Sequence, residues 1–123
     1  MAVSALLDTN AALYLLGGRL EKSLPEDRYA ASFITEMELL SYPRLSADEE
    51  ANVRAFLASV EVCGLSQGLK VLAIGLRRRN GLKLPDAIIC ATAIERRATL
   101  WSNDRKLANI PELRWRGMDI KPI

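Results

Sequence analysis

The chain contains no histidine among its 123 residues. That absence excludes more chemistry than any short motif supplies. A Ser-His-Asp triad needs an imidazole to take a proton from the nucleophile and return it to the leaving group. Gly64-Leu65-Ser66-Gln67-Gly68 matches the G-x-S-x-G nucleophile elbow, but no base is available to serve it. Ser66 therefore reads as a helix cap after a glycine turn. Ribonucleases built on paired imidazoles, and most zinc hydrolases, are excluded on the same ground. Cysteine is also scarce: Cys63 and Cys90 form no C-x-x-C pair, so reduced structural thiols are expected rather than a disulfide or a zinc site. Neither G-x-G-x-x-G nor a P-loop occurs, which leaves nucleotide cofactors without support. No apolar run approaches the roughly 18 residues of a spanning helix, and residues 1–7 lack a charged leader and run into a predicted strand. A cytoplasmic protein with no membrane partner is expected.

What is present is ordinary globular material, 50% hydrophobic and 26% charged, enough for one domain over residues 1–123 with a real core. The net charge of +2 conceals an asymmetry. Residues 1–61 carry 5 Lys and Arg against 10 Asp and Glu, a balance of −5, whereas residues 62–123 carry 12 against 5, or +7. The basic half contains Arg77, Arg78, Arg79, Lys83, Arg96, Arg97, Arg105 and Lys106, a set suited to a polyanion. Arg77 to Arg79 equally suit the C-terminus of a helix.

Along the chain, residues 3–7 read as a short buried strand, ended by Asp8-Thr9-Asn10, which begins a helix to Leu16. After a polar connection over 19–28, residues 29–34 read as a strand, and Thr35 begins a helix stopped by Pro43. Ser46-Ala47-Asp48-Glu49 has capping-box form and opens a helix to Ser59. A strand is predicted over 60–65, then helices over 67–79 and 85–97, a strand over 99–101, a short helix over 105–108 and a last strand over 115–120. Alternating strands and helices predict an α/β sandwich with a central, mostly parallel sheet of about four to five strands.

Four carboxylates share a setting in that scheme. Asp8 follows the first strand, Glu38 lies in the first turn after the second, Asp86 begins the apolar helix Pro85-Asp86-Ala87-Ile88-Ile89-Cys90, and Asp104 follows the strand over 99–101. In a parallel sheet the carboxyl ends of strands lie along one edge, where ligand sites form. Each acid also has a local reading: Asp8 and Asp104 as caps, and Glu38 as the fourth residue of a capping box begun by Thr35. One shared site is more economical than four unrelated caps. Carboxylates held together repel unless a cation compensates, and Mg²⁺ or Mn²⁺ suits an Asp/Glu set without His or Cys. Glu36 lies roughly 200° from Glu38 around a helix, and Glu95 is half a turn out of phase with Asp86, so neither joins the set. Asp48, Glu49 and Glu50 complement a helix dipole.

Leu6-Leu7-Asp8-Thr9-Asn10, Ile34-Thr35-Glu36-Met37-Glu38-Leu39-Leu40, Gly81-Leu82-Lys83-Leu84-Pro85-Asp86-Ala87 and Ser102-Asn103-Asp104 together resemble the PIN domain family, specifically its VapC-type toxins. Ser102 stands where that pattern often has Thr. The resemblance implies a metal-dependent endoribonuclease, the toxin of a bacterial type II toxin-antitoxin pair, hydrolysing RNA by metal-activated water to leave a 5′-phosphate and a 3′-hydroxyl. It implies Asp8 and Asp86 as the main ligands of Mg²⁺ or Mn²⁺, Glu38 and Asp104 completing the pocket directly or through water, and Thr9, Asn10, Ser102 and Asn103 in support. A homodimer and a cognate antitoxin are implied as partners, the latter on an apolar surface that Leu13, Tyr14, Leu16, Leu39, Leu40 and Tyr42 would offer. An RNA-processing nuclease outside any toxin pair, and a catalytically silent binding module of the same fold, are the alternatives.

Overall fold

The structure is a computed structural model and describes residues 2–122. Five parallel strands form one sheet: β1 (Ala5–Leu7), β2 (Tyr29–Ser32), β3 (Glu61–Cys63), β4 (Thr99–Trp101) and β5 (Trp115–Arg116), in the order β3-β2-β1-β4-β5. Leu7 sits opposite Ala31 of β2 and Trp101 of β4, so β1 is the central strand. The helices are α1 (Thr9–Leu16), α2 (Phe33–Leu40), α3 (Ala47–Ser59), α4 (Gln67–Asn80) and α5 (Leu84–Arg96).

Pleating divides the core. Leu6, Ala30 and Leu100 pack on one face with Leu69 and Leu76 of α4 and Ile89 and Cys90 of α5. Ala5, Leu7 and Trp101 pack on the other with Ala11 and Ala12 of α1, Leu39 of α2 and Val53 and Phe56 of α3. The result is the expected α/β sandwich with a central parallel sheet. Both faces being covered explains why the strands read as continuous apolar runs rather than alternating ones. The chain leaves β1 for β2 and β3 on one side and reaches β4 and β5 on the other, so the strand order reverses between β1 and β4. Such a reversal opens a crevice at the carboxyl ends of the two strands.

Several expected boundaries shift: β1 (expected over 3–7), β2 (29–34) and β3 (60–65) shorten to Ala5–Leu7, Tyr29–Ser32 and Glu61–Cys63. The helix predicted to start at Thr35 starts at Phe33, because Ser32, with extended dihedrals, accepts a hydrogen bond from the Ile34 amide and caps it. The capping box read at Thr35 to Glu38 therefore does not form, and Thr35 lies inside α2. The last strand stops at Arg116 instead of 120, since the Asn103 amide takes both the N–H and the C=O of Met118; beyond it Ile120 makes only a bridge to Leu20. The short helix expected over 105–108 is a 3-10 turn at Leu107–Asn109. The capping box at Ser46 and Glu49 forms as read, and Ser66 caps α4 through the Leu69 amide.

Candidate active site

The four carboxylates occur at the crevice through different local devices. Asp8 ends β1 and is the N-cap of α1, its Oδ1 accepting from the Ala11 amide at 2.7 Å. Asp86 lies in the first turn of α5, behind Lys83 at the N-cap and Pro85 in the first turn, which needs no amide proton there. Asp104 follows β4 by three residues; its amide donates to Ser102 Oγ at 3.0 Å and its Oδ1 accepts from the Lys106 amide at 3.1 Å. Glu38 lies on α2, where its Oε1 accepts from Thr9 Oγ1 at 2.6 Å.

Their fields overlap. Burial, followed by the charges of Asp86 and Asp104, raises the Asp8 carboxyl above the ordinary range, with hydrogen bonds from Ser102 and Ala11 opposing. Asp86 is raised by burial, then by Asp104 and Glu38, while Lys83 and Lys106 pull it down. Cys90, on the next turn of α5 after Asp86, feels burial first and then Asp86, Asp8 and Asp104, and its thiol is pushed up to about 12. Such a thiol stays neutral and unreactive. Cys63 and Cys90 are both free and buried, as expected.

The donor set is all oxygen, negative and mutually repelling, and so fits a hard divalent cation. Among the described residues no three His, Cys, Asp or Glu side chains are gathered closely enough to ligate one ion. The acids thus share an edge and a field, not a closed cage.

Of the eight basic candidates, only Lys83 and Lys106 line the groove of about 430 Å³ that also contains Asp86 and Asp104. Arg79 pairs with Glu112 at 3.5 Å and Arg96 with Glu61. Arg97 terminates α5 in the left-handed region, and Arg77 and Arg78 occupy the last turn of α4. Arg105 is exposed near Asp104 but does not line the groove. Of the supporting residues, Thr9 and Ser102 touch the acids, Asn103 anchors the backbone of Met118, and Asn10 is exposed. Glu95 lies away from this edge and accepts from Ser66 Oγ at 2.9 Å. In sequence Thr35 reads only as a cap, yet its hydroxyl lies 2.9 Å from that of Thr9; its position one helical turn before Glu38 is the available signal.

A five-stranded parallel sandwich with carboxylates at its switch point defines an α/β protein whose ligand edge is acidic instead of a glycine-rich phosphate loop. The chain belongs to the PIN domain family, whose profile matches residues 5–113. Among solved structures it is similar to a toxin-antitoxin complex from Klebsiella pneumoniae, with 36% identity, a TM-score of 0.74, and coverage of 89% of this chain and 95% of that one. It is also similar to VapBC2 from Rickettsia felis bound to a promoter DNA fragment, at 24% identity and TM-score 0.77, covering 94% and 98% of the two chains. VapBC-1 from nontypeable Haemophilus influenzae shares 25% identity at TM-score 0.68, covering 92% and 96%. No significant match was found among curated protein sequences.

Proposed function

We propose that the protein is a Mg²⁺- or Mn²⁺-dependent endoribonuclease acting as the toxin of a type II toxin-antitoxin pair. The observation that carries this reading is the placement of four carboxylates at one edge of the sheet: Asp8 where β1 ends, Asp86 at the start of α5, Asp104 just past β4, and Glu38 tied to Thr9 of α1. Burial first, and then the neighbouring acids, raise the Asp8 and Asp86 carboxyls above the ordinary range, and such perturbed groups cluster at functional sites. PIN domain membership and similarity over most of the chain to a toxin-antitoxin complex support the choice of reaction and context.

When bound, the divalent ion supplies an acidified water and neutralises charge on the departing oxygen. Asp8 and Asp86 would hold such an ion at the crevice, with Glu38 and Asp104 completing the site directly or through water. Lys83 and Lys106 offset the negative edge and draw the phosphodiester backbone into the groove. Leu13, Leu16, Leu39 and Tyr42 line a second cavity of about 250 Å³, an apolar surface for an antitoxin segment. A homodimer belongs to the same reading, and Val71 and Ile74, 63% and 53% exposed on α4, offer apolar surface to a second copy.

The test is Asp86→Asn, which keeps the size of the side chain. With folding verified by circular dichroism, it is expected to abolish Mn²⁺-dependent cleavage of RNA while retaining capture of the antitoxin. Undiminished cleavage by the purified variant refutes the assignment. Growth arrest on expression, relieved by a neighbouring antitoxin gene, separates a toxin from a processing nuclease.

A further inference from the structure

Two threonines are fully buried on helices, and they use their hydroxyls differently. Thr92 of α5 donates to the Ile88 carbonyl of its own helix at 2.7 Å, the usual outlet for a helical threonine. Thr35 of α2, at 0% exposure, reaches out of its helix to Thr9 Oγ1 at 2.9 Å. Thr9 Oγ1 is in turn 2.6 Å from Glu38 Oε1, within the range of an O–H donor to an ionised carboxylate. A hydroxyl carries one proton. Since Thr9 gives its proton to Glu38, the bond between the hydroxyls runs from Thr35 to Thr9.

We infer that Thr35 is a positioning residue that acts through Thr9 to hold Glu38 at the acidic edge. Glu38 is exposed and would otherwise sample several rotamers, each ordering event costing side-chain entropy. The relay joins α1, which carries Asp8 at its cap, to α2, which carries Glu38, and so fixes two acids relative to each other. Donation by Thr35 also polarises the Thr9 hydroxyl and strengthens its bond to the carboxylate. The inference rests on the reading that these acids hold a divalent ion.

The experiment measures Mn²⁺ binding by calorimetry on metal-stripped protein for wild type, Thr35→Val, Thr35→Ser, Glu38→Gln and the double variant Thr35→Val/Glu38→Gln. Thermal melts in EDTA verify folding. Valine matches threonine in shape but lacks the hydroxyl, and is expected to weaken Mn²⁺ binding about five-fold, the scale of one hydrogen bond between neutral groups. Serine keeps the hydroxyl and is expected to bind as wild type does. In the Glu38→Gln background, Thr35→Val is expected to add no further loss, because coupled residues are not additive. Loss in Thr35→Ser equal to that in Thr35→Val assigns the role to packing and overturns the relay, as does an additive double variant. A wild type that takes up no Mn²⁺ overturns the metal reading and the relay together; wild-type binding with an unchanged Thr35→Val overturns the relay alone.

Discussion

Asp8→Asn should raise the stability of the metal-free protein while abolishing cleavage. Asp8 is buried, at 8% exposure, and its carboxyl is raised from 3.8 by burial first and by Asp86 and Asp104 after it. The folded state therefore binds the Asp8 proton more tightly than the unfolded chain does. Stability arising from that proton is fully present below the unfolded value and is lost as pH rises through the higher folded value. At neutral pH the ionised group is a net cost to the fold. Asparagine removes the charge but keeps Oδ1, which still accepts from the Ala11 amide, and Asn ranks with Asp as an N-cap. Asp8→Ala removes both charge and cap, so the two variants should differ by the value of the cap, about 1 kcal/mol. For a domain of this size that is a difference in Tm of about 4 °C.

The assay is thermal unfolding of wild type, Asp8→Asn and Asp8→Ala in EDTA from about pH 4 to pH 7, repeated with Mn²⁺ at neutral pH. The advantage of Asp8→Asn over wild type should grow as pH rises and shrink toward acid. Mn²⁺ at about 100 times its Kd should stabilise wild type by about 2.7 kcal/mol and leave Asp8→Asn nearly unmoved. If Asp8→Asn melts below wild type in EDTA at pH 7, or the gap does not vary with pH, Asp8 is a satisfied structural carboxylate and the reasoning fails.

Two further outcomes follow from the groove and from a helix end. Lys83→Ala and Lys106→Ala, each made in the inactive Asp86→Asn background, should flatten the dependence of log RNA affinity on log salt by about 0.7 per lysine, as expected for a single strand. Arg79→Ala, whose guanidinium is engaged with Glu112, should change that slope less; equal slopes for all three would remove the lysines' special role. Arg97→Gly should stabilise the fold by about 0.5–1 kcal/mol in a denaturant titration, because Arg97 ends α5 at φ 52°, a conformation costly for any residue with a Cβ. A loss of stability would mean that the arginine side chain contributes more than its backbone strain costs.

Asp8, Asp86 and Asp104 stand out in the sequence because each sits near an element boundary, where polar residues meet apolar runs, whereas Glu38 lies inside α2. Thr35 misleads for a related reason. Ser32 and Thr35 are both competent caps, and local pattern alone does not rank them. The choice of Ser32 follows from the sheet: β1 ends at Leu7 opposite Ala31, and Ser32, the next residue of β2, pairs with Cys63 at the end of β3. Likewise the early end of β5 depends on Asn103, far away in the chain, taking the backbone groups of Met118. The sorting of the basic residues is tertiary too: Glu112 and Glu61 engage Arg79 and Arg96, leaving Lys83 and Lys106 in the groove.

Capping and chemistry are not competing explanations for these carboxylates. A carboxylate has two oxygens, and in both Asp8 and Asp104 the Oδ1 atom accepts from a backbone amide. That bond orients the group and leaves the second oxygen for another partner. Asp8 and Asp86 also stand at the N-terminal ends of α1 and α5, where the positive end of each helix dipole offsets part of their charge. The offset is incomplete, since both carboxyls remain raised. On the proposed reading, a histidine-free chain, with no imidazole to supply a base near neutral pH, would reach hydrolysis through a metal-activated water. The burial of Asp8 and Asp86, followed by the charges of their acidic neighbours, would favour the cation that activates it.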